Sequence, residues 1–304
     1  MISEISHFYD WWLTDDRLFE SVYAEYAELG CHRFGLPNTH MLRLLEEPDF
    51  AKFLKNLNRR YGFRFDGAHA HWSEIWDPNT VRQEHRKIML KNLVRALEFT
   101  SEFEANVLVI HPGYTVLEHN PEFPVLEMRE LAIQTFEQLL PKAEKLGVKI
   151  AIENNISPAD TPEELLAICR YFESPTLGVC FDTGHAHVMA YAPEKDITKM
   201  HDFAIKLWNG KLQLYRGDAL SELVPYILIS HLHDNDGLRD WHQLPGDGTI
   251  DWNYVMENLA KAPRLVCLQN EAGPCNSKAS FARTIRVFRE LCNRYSKFQN
   301  LSFV

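Results

Sequence analysis

The chain has 304 residues, 45% apolar and 24% charged, which excludes a disordered protein and fits one barrel of about 250 residues with loop insertions. Its 42 acidic and 32 basic residues give a formal net charge of −10, and no run of Lys and Arg offsets it, so binding to a nucleic-acid backbone is disfavoured. No apolar run approaches the roughly 18 residues of a membrane-spanning helix, so no membrane contact is predicted.

The six cysteines show no CxxC spacing, and several of them lie inside apolar runs. A thiol in such a run behaves as a small hydrophobe, so neither a disulfide scaffold nor a zinc finger is predicted. The first residues also show no signal-peptide pattern. Together these features predict a reducing, cytoplasmic compartment.

Short apolar runs alternate with stretches of helical periodicity along the chain, which is typical of βαβ units and a parallel sheet. Eight strands are predicted, at Ile2–Phe8, His32–Leu36, Phe65–His69, Asn106–His111, Val148–Glu153, Leu177–Asp182, Ile227–His233 and Leu265–Glu271. Helices are predicted at Asp16–Leu29, Met41–Tyr61, Val81–Thr100, Pro124–Leu146, Pro162–Phe172, Asp196–Trp208, Trp252–Lys261 and Ser280–Tyr295. No linker interrupts the pattern, which predicts an α/β fold with one domain over residues 1–304, a (β/α)8 TIM barrel with outer helices.

Acidic and imidazole side chains stand at the carboxyl ends of the later predicted strands, and these ends share one mouth in a parallel barrel. They are His111, Glu153, Asp182, His185, His187, His231, His233 and Glu271. A carboxylate at the end of a buried strand is costly unless a cation or a hydrogen-bond donor meets it. Oxygen and imidazole ligands suit Zn²⁺, Mn²⁺, Co²⁺ or Mg²⁺. The pattern therefore predicts a divalent-metal site, with a hydrogen-bonded polar cluster as the alternative.

The segment after the seventh predicted strand contains Asp240-x-His242 followed by Pro245-Gly246-Asp247-Gly248. Alone, Asp240 and His242 are a weak signal, because a loop commonly places a turn residue beside a surface imidazole. The Pro-Gly stretch is typical of a tight turn, and Asp251 is predicted to cap the helix that begins at Trp252.

Six short motifs occur in order along the predicted barrel. They are His111-Pro112-Gly113, Glu153-Asn154, Asp182-Thr183-x-His185-Ala186, His231-Leu232-x-Asp234, Asp240-x-His242 followed by Pro245-Gly246-x-Gly248, and Glu271. With these motifs the chain resembles the xylose isomerase-like TIM-barrel superfamily over essentially its whole length. That superfamily holds sugar and sugar-phosphate isomerases and epimerases together with the endonuclease IV family.

The resemblance to the epimerase branch implies one metal ion bound by Glu153, Asp182, His231 and Glu271. It also implies a metal-stabilised enediolate, with Glu153 and Glu271 as the catalytic acid–base pair. His231 and His233 lie two residues apart on one face of a strand, so the sequence leaves open which of them is the ligand. The other would contact the substrate.

The resemblance to the endonuclease IV branch implies a cluster of up to three ions. The additional ligands fall on His111, His185, Asp240 and His242, and on His69 or His71 from the third strand. One to three ions per chain are therefore expected. The remaining side chains at the mouth, namely His71, His187, His233, Trp72 and Trp241, are expected to contact a substrate.

Two departures bear on the substrate. The glycine-rich opening that endonuclease IV carries after the first strand is absent, and Ala159 stands where some epimerases place a second Glu. A metal-dependent isomerase or epimerase acting on a small sugar or sugar phosphate is thus the predicted function. A multi-zinc phosphoester hydrolase and a catalytically silent binding subunit are the alternatives. Barrels of this kind often pair through their mouth loops, so a homodimer is also compatible with the sequence.

Overall fold

Eight parallel strands close into a barrel in which each strand pairs with its neighbours along the chain and β8 pairs with β1. The structure, a computed structural model, describes residue 2 and residues 4–301. The strands are β1 (Ser6–His7), β2 (Arg33–Leu36), β3 (Arg64–His69), β4 (Val107–Ile110), β5 (Lys149–Glu153), β6 (Leu177–Asp182), β7 (Ile227–Leu232) and β8 (Cys267–Asn270). The predicted (β/α)8 barrel is confirmed, although several strands are shorter than predicted; residue 3 of the first predicted strand lies outside the described residues.

Helices follow the strands and surround the barrel. They are α1 (Phe19–Glu28), α2 (Asn38–Glu46), α3 (Phe50–Tyr61), α4 (Gln83–Glu102), α5 (Thr115–His119), α6 (Val125–Leu146), α7 (Pro162–Phe172), α8 (Thr183–Met189), α9 (Asp202–Leu207), α10 (Ala219–Leu223), α11 (Trp252–Ala260), α12 (Pro274–Ser277) and α13 (Phe281–Leu301). Among the described residues, no helix combines the length and apolarity that crossing a membrane requires. The cysteines are all unpaired, and only Cys275 is exposed.

Two predicted helices are divided in the structure. The stretch Met41–Tyr61 forms the end of α2 and the whole of α3, because Pro48 between them has no backbone N–H to continue a helix. The stretch Asp196–Trp208 contains a 3₁₀ turn at Ile197–Lys199 and then only the short helix α9. By contrast, the predicted helix Pro162–Phe172 has the predicted bounds.

Helix α8 was not predicted, and it changes how two histidines are placed. It begins directly after β6, and the side chain of Asp182 caps it by accepting the backbone N–H of His185. His185 and His187 therefore lie on a helix, where side chains two residues apart do not share a face. Of the two, only His185 is directed at the carboxylates of the barrel mouth.

The apolar core has an inner and an outer part. Inside the barrel, Val109, Ala151 and Cys180 belong to one buried cluster. Residues on the opposite face of the strands, such as Ile150 and Ile152, pack in a larger cluster beneath the surrounding helices. Because side chains alternate along a strand, Glu153 shares the inward face of β5 with Ala151, which directs its carboxylate toward the barrel axis.

Helix α2 buries the imidazole of His40 among Trp11, Phe19 and Phe50. Neither ring nitrogen has a hydrogen-bond partner among the described residues. Burial, with a smaller contribution from Arg43, lowers the pKa of His40 from 6.5 to about 3. The unfolded chain binds this proton below about pH 6.5 and the folded chain only near pH 3, so the free energy of unfolding falls as the pH drops through that range.

We expect His40→Leu to remove this part of the acid sensitivity. Between pH 7 and pH 5, the wild-type protein should lose about 2 kcal/mol of unfolding free energy more than the variant, because only the wild-type unfolded chain gains this proton. Urea unfolding of both proteins at the two pH values, in EDTA, measures the difference. Equal losses in the two proteins would contradict the burial of a neutral imidazole at this position.

Candidate metal centre

The carboxylate of Glu153 lies at the centre of the barrel mouth and is enclosed by imidazoles. Its Oε2 is 3.1 Å from Nε2 of His69, 3.5 Å from Nε2 of His111 and 3.4 Å from Nδ1 of His231. Its Oε1 is 3.4 Å from Nδ1 of His185. These residues follow or end different strands, and they meet because the carboxyl ends of parallel strands lie on one side of the barrel.

Asp182, at the end of β6, joins the cluster together with His233. Nε2 of His233 is 3.0 Å from both carboxylate oxygens of Asp182. The imidazole fits there only because residue 184 is glycine: a Cβ on Gly184 would lie 1.9 Å from Cε1 of His233. The structure therefore brings both His231 and His233 into the cluster, where the sequence had treated them as alternatives.

The loop after β7 carries Asp240 and His242 into the same cluster. Oδ2 of Asp240 is 3.3 Å from Nε2 of His185 and 3.0 Å from Nε2 of His242. The ring of His242 stacks on that of His233, with centroids 4.0 Å apart and an interplanar angle of 5°. Glu271, which follows β8, places its Oε1 3.3 Å from Nδ1 of His231.

Backbone carbonyl groups fix the orientation of several imidazoles. The Nδ1–H groups of His69, His185 and His242 donate to the carbonyl oxygens of Ala70, Asn154 and Glu271 at 2.6, 3.0 and 2.9 Å, respectively. A carbonyl oxygen can only accept, so each of these Nδ1 atoms carries the proton and Nε2 faces the carboxylates. Histidines that bind metal ions in proteins are typically held in this way.

The charges of the cluster are mutually compensated. Burial by itself raises the pKa of Glu153, but the imidazoles of His231 and His111 outweigh it and hold the pKa well below its usual value. The same balance of burial against neighbouring imidazoles lowers the pKa of Asp182 to about 2. For Glu271 burial prevails over the attraction of His231, and its pKa is raised.

Several buried atoms of the cluster have no hydrogen-bond partner among the described residues, which is rare for buried polar groups. They are both ring nitrogens of His231, Nδ1 of His111 and of His233, and Oδ1 of Asp240. Sets of three residues also offer ligand atoms within 4.8 Å of one another, including His69–His111–Glu153, Asp182–His185–His233 and His233–His242–Glu271. Imidazole and carboxylate donors suit Zn²⁺ and Mn²⁺. The residues therefore fit a divalent-metal centre, with donors for more than one ion.

The family model described as xylose isomerase-like TIM barrel matches residues 23–292. The chain belongs to this family. An uncharacterized protein of Methanocaldococcus jannaschii is 29% identical over 252 residues, which cover 79% of this chain and 75% of that protein. Among solved structures, a D-tagatose 3-epimerase-like protein is 24% identical, with a TM-score of 0.63 and coverage of 92% of this chain and 94% of the other. The IolI protein with a zinc atom is 16% identical, with a TM-score of 0.67 and coverage of 98% and 99%. At these identities the structural likeness shows the fold.

In this xylose isomerase-like barrel, the other predicted site residues lie around the cluster rather than in it. The ring of Trp72 stacks on His111 at 5.4 Å, and His71 stacks on Trp72 at 5.6 Å, so His69 is the strand-three histidine that reaches the carboxylates. Nε2 of His187 lies 2.8 Å from Oγ1 of Thr249, away from the cluster. Trp241 is 47% exposed and packs near the guanidinium of Arg239.

Asp234, to which the sequence analysis assigns no role, holds the loop that carries Asp240 and His242 in this family member. Its buried carboxylate accepts the indole N–H of Trp252 and the backbone N–H of Gly246, both at 2.8 Å. Its own backbone pairs with Gln243 in an antiparallel bridge. Asp234 belongs to the motif His231-Leu232-x-Asp234, and its position directly after a buried strand was the signal that could have identified it.

Proposed function

We propose that the protein is a divalent-metal-dependent isomerase or epimerase of a small sugar. The observation that carries the proposal is that two carboxylates at the barrel mouth approach the same nitrogen atom of one imidazole. Nδ1 of His231 lies 3.4 Å from Glu153 and 3.3 Å from Glu271. A reaction that removes a proton next to a carbonyl and returns it elsewhere needs one base and one acid beside the same carbon chain.

Glu153, Asp182, His231 and Glu271 would hold the ion of this reaction. A bound divalent ion would polarise the substrate carbonyl and so lower the pKa of the adjacent C–H. One of the two glutamates would then remove the proton at its carboxylate oxygen, and the other would donate a proton. The aromatic walls of the mouth would keep bulk water from the reacting carbon.

The cavity beside Glu271, here called the small pocket, fits an uncharged sugar. It has a volume of about 270 Å³, and its walls include Tyr9, Trp12 and Trp72 with the polar side chains Asn38, Thr39 and Asn276. Neither Lys nor Arg occurs among the described residues that line it, and Asp10 adds a carboxylate. Aromatic rings can pack on the apolar faces of a sugar, whereas a phosphate group would meet neither a guanidinium nor an ammonium group here. The D-tagatose 3-epimerase-like neighbour agrees with this substrate class.

The proposal predicts that the metal-loaded protein exchanges a C–H proton of its sugar substrate with solvent. Ketoses and aldoses would be incubated in D₂O with protein loaded with Mn²⁺, Co²⁺ or Zn²⁺ and followed by NMR. Deuterium should enter at carbon next to the carbonyl, stop when EDTA removes the metal, and return when the metal is restored. Absence of exchange with every sugar under full metal occupancy would reject the proposal.

A multi-metal phosphoester hydrolase is the second candidate, and one observation favours it. Oδ2 of Asp240 lies 3.3 Å from Nε2 of His185 and 3.0 Å from Nε2 of His242. Neither Asp240 nor His242 belongs to the ligand set proposed for a single ion. These additional donors, like His69 and His111 beside Glu153, would hold further ions that activate water and hold a leaving oxygen. Release of phosphate from small esters, two or three ions per chain and no C–H exchange would favour this candidate.

A further inference from the structure

A second and larger cavity opens at the mouth, above the ends of β5 and β6. It has a volume of about 1000 Å³ and is here called the lateral cleft. The residues that define it are Asn155, Asp160, His185, Tyr191, Trp208 and Arg216. Much of its outer wall comes from the segment between α8 and α10, which is the least regular part of the sequence.

The lateral cleft reaches the candidate metal centre through His185. Nε2 of His185 lies 3.3 Å from Oδ2 of Asp240, and the same oxygen lies 3.0 Å from Nε2 of His242, which lines the small pocket. One carboxylate therefore stands between the two cavities. A molecule whose reacting part occupies the small pocket would need only to pass this point to extend into the lateral cleft.

The walls of the lateral cleft combine aromatic rings with hydrogen-bonding groups. The guanidinium of Arg216 lies 3.8 Å above the ring of Tyr191, which is 43% exposed. The indole of Trp208 is fixed by donation of its N–H to the carbonyl oxygen of Ile156 at 2.9 Å. Flat rings of fixed orientation are suited to the apolar faces of sugar rings.

Asp160 gives the cleft an unused acceptor. Its side chain is completely buried, and Oδ2 accepts a hydrogen bond from Oγ of Ser157 at 2.6 Å. Oδ1 has no hydrogen-bond partner among the described residues. A buried polar atom without a partner is uncommon, and a ligand hydroxyl would satisfy it.

The charge of the lining favours an uncharged ligand. Asp160, Glu163 and Glu164 contribute carboxylates, of which Glu164 is 3.1 Å from Arg129, whereas Arg216 is the one basic residue among the described residues that line the cleft, histidine aside. A phosphate group or polyanion would meet only this one guanidinium and the imidazole of His185. A volume of about 1000 Å³ is at the upper end for small-molecule sites, which run from roughly 300 to 1000 Å³.

We propose that the lateral cleft binds a second, uncharged sugar unit, so that the substrate is a reducing disaccharide whose reducing-end sugar, which carries the carbonyl, reacts in the small pocket. This proposal rests on the proposed function for the reacting ring only. Binding of the second unit uses Tyr191, Arg216 and Asp160, none of which belongs to the candidate metal ligands.

Calorimetric titration of the metal-loaded protein with cellobiose, maltose and lactose, against glucose and galactose, tests the proposal. At least one disaccharide should bind about ten times more tightly than either monosaccharide. Tyr191→Ala should remove that advantage, because it deletes both the ring and the support for Arg216. Tyr171→Ala, a 59% exposed tyrosine that does not line the cleft, is the matched control and should retain it.

Asp160→Asn keeps the size of the side chain and should also reduce the preference while the thermal unfolding midpoint stays close to that of the wild type. Equal affinity for disaccharides and monosaccharides, or equal effects of Tyr191→Ala and Tyr171→Ala, would overturn the proposal. Failure of the proposed function has a different readout, namely no C–H exchange with any sugar. Each proposal can thus fail while the other holds.

Discussion

Glu271→Gln is expected to lower C–H exchange by about 100-fold or more while the barrel remains folded, because proton transfer by a positioned side chain contributes roughly 10²- to 10⁴-fold. Gln retains the size and the hydrogen-bonding capacity of Glu but cannot take up or release the proton. Glu153→Gln should have an effect at least as large, since this carboxylate also contacts His69, His111 and His231. The exchange rate in D₂O and the circular dichroism spectrum are the measurements.

Glu130→Gln is the matched control, because Glu130 is exposed on α6 and lies outside the mouth. It should leave the exchange rate unchanged. If either Glu153→Gln or Glu271→Gln retained more than about a tenth of the wild-type rate with metal bound, the proton-transfer role of that residue would be ruled out. A variant that lost its metal would be compared at saturating metal concentration, so that binding and chemistry are separated.

The residues at the ends of buried strands were predictable from the sequence. Glu153 and Asp182 end runs of apolar and β-branched residues, Glu271 follows β8, and a parallel barrel places the carboxyl ends of its strands on one side. Side chains alternate between the two faces of each strand, so the sequence also predicts which residues point into the barrel and which point outward to the helices. For these residues the local sequence pattern and the barrel fold predict the same position.

Other features depend on contacts that no local pattern encodes. Helix α8 separates His185 from His187, which the sequence had placed together at a strand end. The choice of His69 rather than His71 follows from the stacking of His71 on Trp72. His231 lies within β7 and His233 directly follows the strand. Both belong to the cluster because Gly184 leaves space for the ring of His233.

The lateral cleft was also beyond prediction from the sequence. Its wall is built by short helices and turns between α8 and α10, where the sequence predicted one helix over Asp196–Trp208. Lys195 helps to hold this segment: its ammonium group donates to the carbonyl oxygens of His187, Val188 and Ala190 at 2.9, 3.0 and 2.6 Å. Such long-range anchoring determines the shape of the cleft, and the local sequence does not reveal it.

Asp240→Asn is expected to reduce the number of ions bound per chain while leaving the ligand set Glu153, Asp182, His231 and Glu271 intact. The carboxylate of Asp240 is shared by His185 and His242, and an amide cannot replace its charge for a cation. Elemental analysis of the wild-type and variant proteins, loaded and desalted identically, measures the loss. Asp236→Asn, an exposed position in the same loop, is the control and should bind as many ions as the wild type.

The C–H exchange rate of the same variant distinguishes a one-ion reaction from one that needs several ions. If the reaction is a one-ion isomerisation, Asp240→Asn should lower C–H exchange by less than about 10-fold, because the glutamate pair and its ion remain in place. A loss as large as that of Glu271→Gln would mean that the exchange reaction itself needs more than one ion. An unchanged ion count would instead show that Asp240 binds no metal and serves only to orient His185 and His242.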